Sequence, residues 1–140
     1  MIELLTLIRT LYFLKHNCHN LVSRDTFFQD HDFLSGSYEM SLKHYDSLVE
    51  RIIGSGHVPD LVSLQINASQ KLKSIPLSYA SNKECFFTIL TINKVVLQNI
   101  EQICKAAEIS QGTLQMIGTI ADEIEIENYK LGQRIKGNKQ

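Results

Sequence analysis

Apolar residues recur at steps of three and four along four stretches of the chain, the spacing of helices that bury one face. The first covers residues 2–22, with Leu4, Leu5, Ile8, Leu11, Tyr12, Lys15 and His19 on the repeat. The second covers residues 28–53 and meets Gly54-Ser55-Gly56, a C-terminal stop that Pro59 seals. The third, residues 82–107, carries Phe86, Ile89, Leu90, Asn93, Val96, Leu97, Ile100, Ile103 and Cys104 on one side. The fourth, residues 110–135, steps through Leu114, Ile117, Ala121, Ile124, Asn128, Leu131 and Ile135, the seam spacing of bundle packing. Residues 54–81 are too many for a simple turn between the middle two helices and suit a crossover along the bundle. Within that crossover, residues 60–69 read as a short helix capped by Asp60. No β-rich run, internal repeat or low-complexity tract competes, so the expected fold is an all-α four-helix bundle with a long crossover containing a short helix between helices 2 and 3.

At 140 residues and 44% hydrophobic content, the chain is expected to form one domain over residues 1–140 with a core large enough to need no disulfides. A formal net charge of −1 is not that of a dedicated nucleic-acid binder. Cys18, Cys85 and Cys104 are widely spaced and form no CxxC pair, so they read as reduced thiols. Glu3 and Arg9 interrupt the apolar N-terminal stretch, which argues against a signal peptide or a membrane span. A cytoplasmic protein is the expectation.

Candidate chemistry lies in the first half, in His19, His31, Asp46 and Glu50. Asp46 and Glu50 are four residues apart, so both carboxylates project from one face of the second helix. Mixed imidazole and carboxylate donors suit iron or zinc. His31 and Asp46, 15 residues apart on that helix, are separated by about 22 Å along the axis yet lie within about 60° of the same face. They cannot share an ion within one chain. A joint site needs a second, antiparallel copy of the helix, with His31 of one chain meeting Asp46 and Glu50 of the other and the two-fold axis near Met40 and Ser41.

The stretch from His19 to His31, two histidines separated by eleven residues, resembles the metal-binding pattern of the miniferritins, the DNA-protection-during-starvation (Dps) branch of the ferritin superfamily. The later stretch, Asp46-x-x-x-Glu50-Arg51 running on to Gly56 and Pro59, is similar to that family's Asp-x-x-x-Glu-Arg segment. A weaker likeness extends over residues 112–132. The resemblance implies a hollow shell of twelve subunits built from two-fold dimers, with iron held between subunits. It implies that such sites oxidise ferrous iron with peroxide or oxygen and that ferric mineral is stored inside, protecting against oxidative damage. By position, His19 and His31 would serve from one chain, Asp46 and Glu50 from the partner, with Glu50 the bridging carboxylate and zinc a surrogate metal at the same site.

Several positions depart from the family pattern. Ser35 stands where a carboxylate usually follows the second histidine by four residues, and a hydroxyl is a poor ligand for ferric iron. Asp32 points about 100° away from His31 and Glu39 lies about 12 Å further along, so neither replaces it. Asn20 and Val49 replace an aromatic and a small residue. Only Glu108 is acidic near the start of the last helix, where the family's iron-entry pores carry acidic residues. Family members often bind DNA through lysine-rich N-terminal extensions, whereas here helical spacing begins almost at Met1 and the short polar tail, residues 136–140, offers Lys136 and Lys139. Twelve such tails would add avidity, so DNA association stays open. Of the remaining candidates, His16, His44 and His57 read as surface residues. The acidic run Asp122, Glu123, Glu125 and Glu127 reads as a solvated face, or else as an inner wall for mineral. Tyr12, Tyr38, Tyr45 and Tyr129 read as packing residues, and Phe27, Phe28, Phe86 and Phe87 as core. Two other functions compete with ferrous oxidation: a shell that has lost efficient chemistry and acts by sequestering metal or coating DNA, and an unrelated helical interaction module.

Overall fold

A computed structural model describes residues 1–77, 81–106 and 108–137. Among them are five α-helices, one 3-10 turn (Arg24–Thr26) and no strand: α1 (Ile2–Leu21), α2 (Phe27–Gly54), α3 (Leu61–Ser74), α4 (Asn82–Ala106) and α5 (Gln111–Lys136). Their bounds fall within a residue or two of the apolar periodicity, except that the helix expected over residues 60–69 runs on to Ser74. The expected end of the third long helix, Ala107, and the tail residue Lys139 lie outside the described residues.

Local chemistry sets the helix ends. The Asp60 carboxylate accepts from the Ser63 backbone N–H at 3.0 Å and caps α3, and the Ser110 hydroxyl does the same for α5 through Thr113. Such caps contribute about 1 kcal/mol each. At the end of α2 the Gly56 N–H reaches back to the Ile53 carbonyl with φ of +95°, a backbone state open to glycine and strained for other residues. The α1–α2 turn, residues 22–26, is pinned by Asn82 at the start of α4, whose side chain accepts from the Ser23 N–H and donates to the Ser23 carbonyl.

The packing is antiparallel within each pair. α1 lies along α2, α4 along α5, and α1 also contacts α3 and α4. Contacts that climb one helix descend its neighbour: Arg9 with Tyr45, Lys15 with Ser41 and His19 with His31 between α1 and α2, and Phe86 with Arg134 and Asn93 with Glu127 between α4 and α5. One core runs through the bundle, from Leu4, Ile8, Leu11 and Leu14 of α1 through Leu34, Leu48 and Ile52 of α2 to Phe86, Ile89 and Val96 of α4 and Ile117, Ile124 and Leu131 of α5. Burying each of these side chains stabilises the fold by about 1.5–3 kcal/mol. No helix is long and apolar enough to cross a membrane among the described residues.

Two aromatic expectations fail. Phe28 and Phe87 are 83% and 61% exposed, not core, and Tyr129 is likewise exposed. Each stands off the apolar stripe of its helix, one residue past a side chain that does face inward (Phe27, Phe86 and Asn128), so about 100° of helical turn carries it out of the core.

Candidate metal centre

His19 on the last turn of α1 and His31 on the first turns of α2 meet across the α1–α2 pair, with ring centroids 3.8 Å apart and planes 26° from parallel. Phe27 stacks on the outer face of His31 at 4.8 Å, and Tyr38 meets His19 edge-on at 5.2 Å. His16, expected at the surface, is half-buried and packs against Tyr38 at 4.8 Å. Burial, reinforced by the neighbouring His31, holds the His19 imidazole below its ordinary pKa, which favours the neutral, metal-ligating form. The His31 Nδ1 lies 2.9 Å from the His19 carbonyl oxygen. Donation along that contact places the His31 proton on Nδ1 and leaves Nε2 as a free lone pair, the arrangement that orients metal-binding histidines. The His19 Nδ1 is buried with no hydrogen-bond partner.

Asp46 and Glu50 share one face of α2, both exposed. Because α2 runs unbroken from Phe27 to Gly54, the axial gap of about 22 Å between His31 and Asp46 stands. Glu50 lines an open cleft of about 630 Å³ with Ser47, Arg51 and Gly54 of α2, Ser55, Ser110, and Thr113 and Met116 of α5. The chain thus brings the two histidines together and keeps the two carboxylates apart from them. Among the described residues no group of three or more His, Cys, Asp or Glu side chains is placed to hold a metal ion. The chain carries two imidazoles at one end of α2 and two carboxylates towards the other.

The centre of the bundle holds a polar cluster that reading the sequence did not assemble. Lys15 of α1 is fully buried, and its Nζ lies 2.9 Å from Glu127 Oε2 of α5 and 2.9 Å from the Ser41 hydroxyl of α2. Asn93 of α4 donates to the same Glu127 oxygen at 2.9 Å, and the Ser37 hydroxyl donates to the other one. Burial drives the Lys15 pKa down, and the Glu127 carboxylate opposes that shift. Glu127 therefore corrects the reading of the acidic run as a solvated face: Asp122 and Glu125 are exposed, Glu123 is partly so, and Glu127 turns inward. His44, also expected at the surface, is buried beside Glu123, its Nε2 3.5 Å from the carboxylate. The signal was present, since Lys15 and Asn93 both fall on apolar stripes.

A second buried carboxylate ties the end of the bundle. Asp30 of α2 accepts from Arg134 of α5 at 3.0 and 2.9 Å, from Thr26 at 2.6 Å and from Asn82 of α4 at 2.8 Å. Burial alone would raise its pKa, but the bonds from Arg134, Thr26 and Asn82 outweigh that and hold the carboxyl below its usual range. Cys18 and Cys85, distant in sequence, are both buried free thiols, while Cys104 is exposed.

Comparison with protein-family models matches the ferritin-like domain over residues 3–137. Comparison with curated proteins and with solved structures gave no match.

Proposed function

The chain belongs to the ferritin-like family, and from that membership we propose that it is the single-domain subunit of a Dps-like miniferritin shell that takes up and oxidises ferrous iron at sites between two-fold-related subunits. The family generally handles iron. The observation that carries the finer reading is the division of donors along α2: a stacked histidine pair at one end, and two exposed carboxylates, Asp46 and Glu50, about 22 and 28 Å from His31 along the same unbroken helix. Antiparallel apposition of a second α2 brings the His19–His31 pair of one protomer to Asp46 and Glu50 of the other, twice per dimer. In this reading residues 54–81, including α3, form the crossover between helix pairs, and twelve subunits close the shell.

His19 and His31 would hold iron through neutral nitrogens, and Asp46 and Glu50 would supply the negative charge that favours the ferric state. Ferrous iron is the substrate and the reductant: two ferrous ions would each give one electron to one hydrogen peroxide, which takes up two protons and leaves as two waters. The His31 Nδ1 bond to the His19 carbonyl keeps its ring oriented. Ferric product hydrolyses and collects inside the shell. The expected setting is the cytoplasm, and zinc would occupy the same donors as a redox-inert surrogate.

A second reading rests on Ser35, half-buried one turn after His31 where the family places a carboxylate. With that donor missing, the shell assembles but oxidises iron poorly, and acts by sequestering metal or associating with DNA. Sizing the purified protein and then titrating it with ferrous iron under anaerobic conditions before adding peroxide distinguishes the readings. A shell-sized particle forming ferric absorbance that Glu50→Ala abolishes supports the ferroxidase. A shell with no ferric absorbance supports the second reading, and a monomer contradicts both.

A further inference from the structure

Ferritin-like bundles of the di-iron type place metal at the bundle centre, on a glutamate from each of two helices and Glu-x-x-His pairs from the others. The same layer here does not fit such a centre. Its contributors are Lys15, Ser37, Ser41, His44, Asn93, Glu123 and Glu127, and the middle is filled by the Lys15 ammonium. That ammonium has three donors and oxygen neighbours on three groups: Glu127 Oε2 at 2.9 Å, the Ser41 hydroxyl at 2.9 Å and the Ser37 carbonyl at 3.4 Å. Its surroundings are those of a coordinated cation: one buried carboxylate carrying the counter-charge, neutral oxygens around it, and no water-exposed surface on the lysine itself. Beside it, the His44 Nε2 is buried, lacks a hydrogen-bond partner and faces Glu123 Oε2 at 3.5 Å. Glu127 and the oxygens of Ser41 and Ser37 therefore surround a single positive charge that the chain itself provides, with the His44–Glu123 pair nearby.

We propose that Lys15 is a built-in cation that fills the bundle's central carboxylate site and keeps divalent metal out of it. The physical reason is charge. Glu127 is buried by four helices and needs a positive partner, and while Lys15 supplies it a second cation would meet an ammonium at contact distance. With Lys15 truncated, Glu127 is left uncompensated in a space about the size of the lost side chain, with Ser37, Ser41 and Asn93 around it and His44 and Glu123 alongside. A divalent ion with a preference for mixed nitrogen and oxygen donors is the species that restores the charge. The inference rests on the bundle interior alone and is independent of whether the histidine and carboxylate donors meet between subunits.

Cobalt(II) binding tests it, measured by titration and visible absorbance in a Glu50→Ala background so that ions at the surface of α2 do not enter the count. The Lys15-intact protein should show no cobalt that Glu127→Gln removes. Adding Lys15→Ala should create an additional cobalt site in each chain, with a melting temperature that rises when cobalt is present, and adding Glu127→Gln to that variant should erase both. If Lys15→Ala does not fold alone, recovery of its helical signal on refolding with cobalt supports the proposal. Failure to refold with cobalt, while the charge-free Lys15→Met/Glu127→Gln pair folds, overturns it. So does a folded Lys15→Ala protein that binds no more cobalt than its parent.

Discussion

Lys15 and Glu127, 112 positions apart in sequence, meet at 2.9 Å in the middle of the bundle with both side chains almost wholly out of water. A buried pair of this kind adds little over an apolar pair of the same shape, but removing one partner strands a charge in the core. Lys15→Met or Glu127→Leu alone should therefore lower the unfolding free energy by about 3–5 kcal/mol, read from urea melts. The double replacement should recover most of that loss. Singles that cost no more than the double would mean that the pair is not coupled.

Asp30 should make stability depend on acid. Its folded pKa is depressed below the unfolded value of about 3.9, so its contribution is fully present above that value and is lost as pH falls through the folded one. Asp30→Asn should destabilise the protein at neutral pH by about 1.5–3 kcal/mol, the worth of hydrogen bonds to a charged group. The gap between wild type and variant should shrink below about pH 4. A gap that stays constant from neutral pH to pH 3 would contradict the role given to Arg134 and Asn82.

The three cysteines should separate by reactivity. Cys18 and Cys85 are buried, and interaction with the Cys85 side chain together with burial pushes the Cys18 thiol up, whereas Cys104 is exposed. A thiol reagent added to native protein should modify Cys104 alone, as read by mass spectrometry of the digested product. All three should react after unfolding. Rapid labelling of Cys18 in the native state would show that the α1–α4 contact opens readily.

Ser35 should be the position that limits the iron chemistry. Ser35→Asp restores an anionic oxygen one turn from His31 and should tighten ferrous binding by about tenfold or more, comparable with what supporting groups around metal sites contribute. The readout is anaerobic calorimetry, with the initial rate of ferric absorbance on peroxide addition as a second measure. An unchanged affinity would remove Ser35 from the site.

The helices were legible because their apolar stripes keep step with the helical period, and Gly54-Ser55-Gly56 and Asp60 mark ends that the backbone bonds respect. The separation of His31 from Asp46 was legible for the same reason, since rise per residue is fixed once a helix is unbroken. That His19 and His31 stack, with the proton of one ring steered by the backbone of the other, was not, because it depends on the angle at which α1 turns into α2. Glu127 was hidden by its company. In the run from Asp122 to Glu127, acids alternate with apolar residues, and only the packing of α5 against Lys15 and Asn93 decides which carboxylate turns inward. Lys15 and Asn93 had already declared themselves by standing on apolar stripes, although a polar residue on such a stripe does not name its partner.

The most direct measurement is complementation in mixed assemblies. Chains carrying His19→Ala and His31→Ala are combined with chains carrying Asp46→Ala and Glu50→Ala, and ferrous binding is measured anaerobically against each homogeneous variant. If the donors meet across the two-fold, each mixed dimer regains one intact site of its two, and random mixing should restore about a quarter of wild-type binding while both homogeneous variants bind none. Mixed assemblies as empty as the homogeneous ones would contradict the intersubunit site, as would full binding by the Asp46→Ala/Glu50→Ala protein alone.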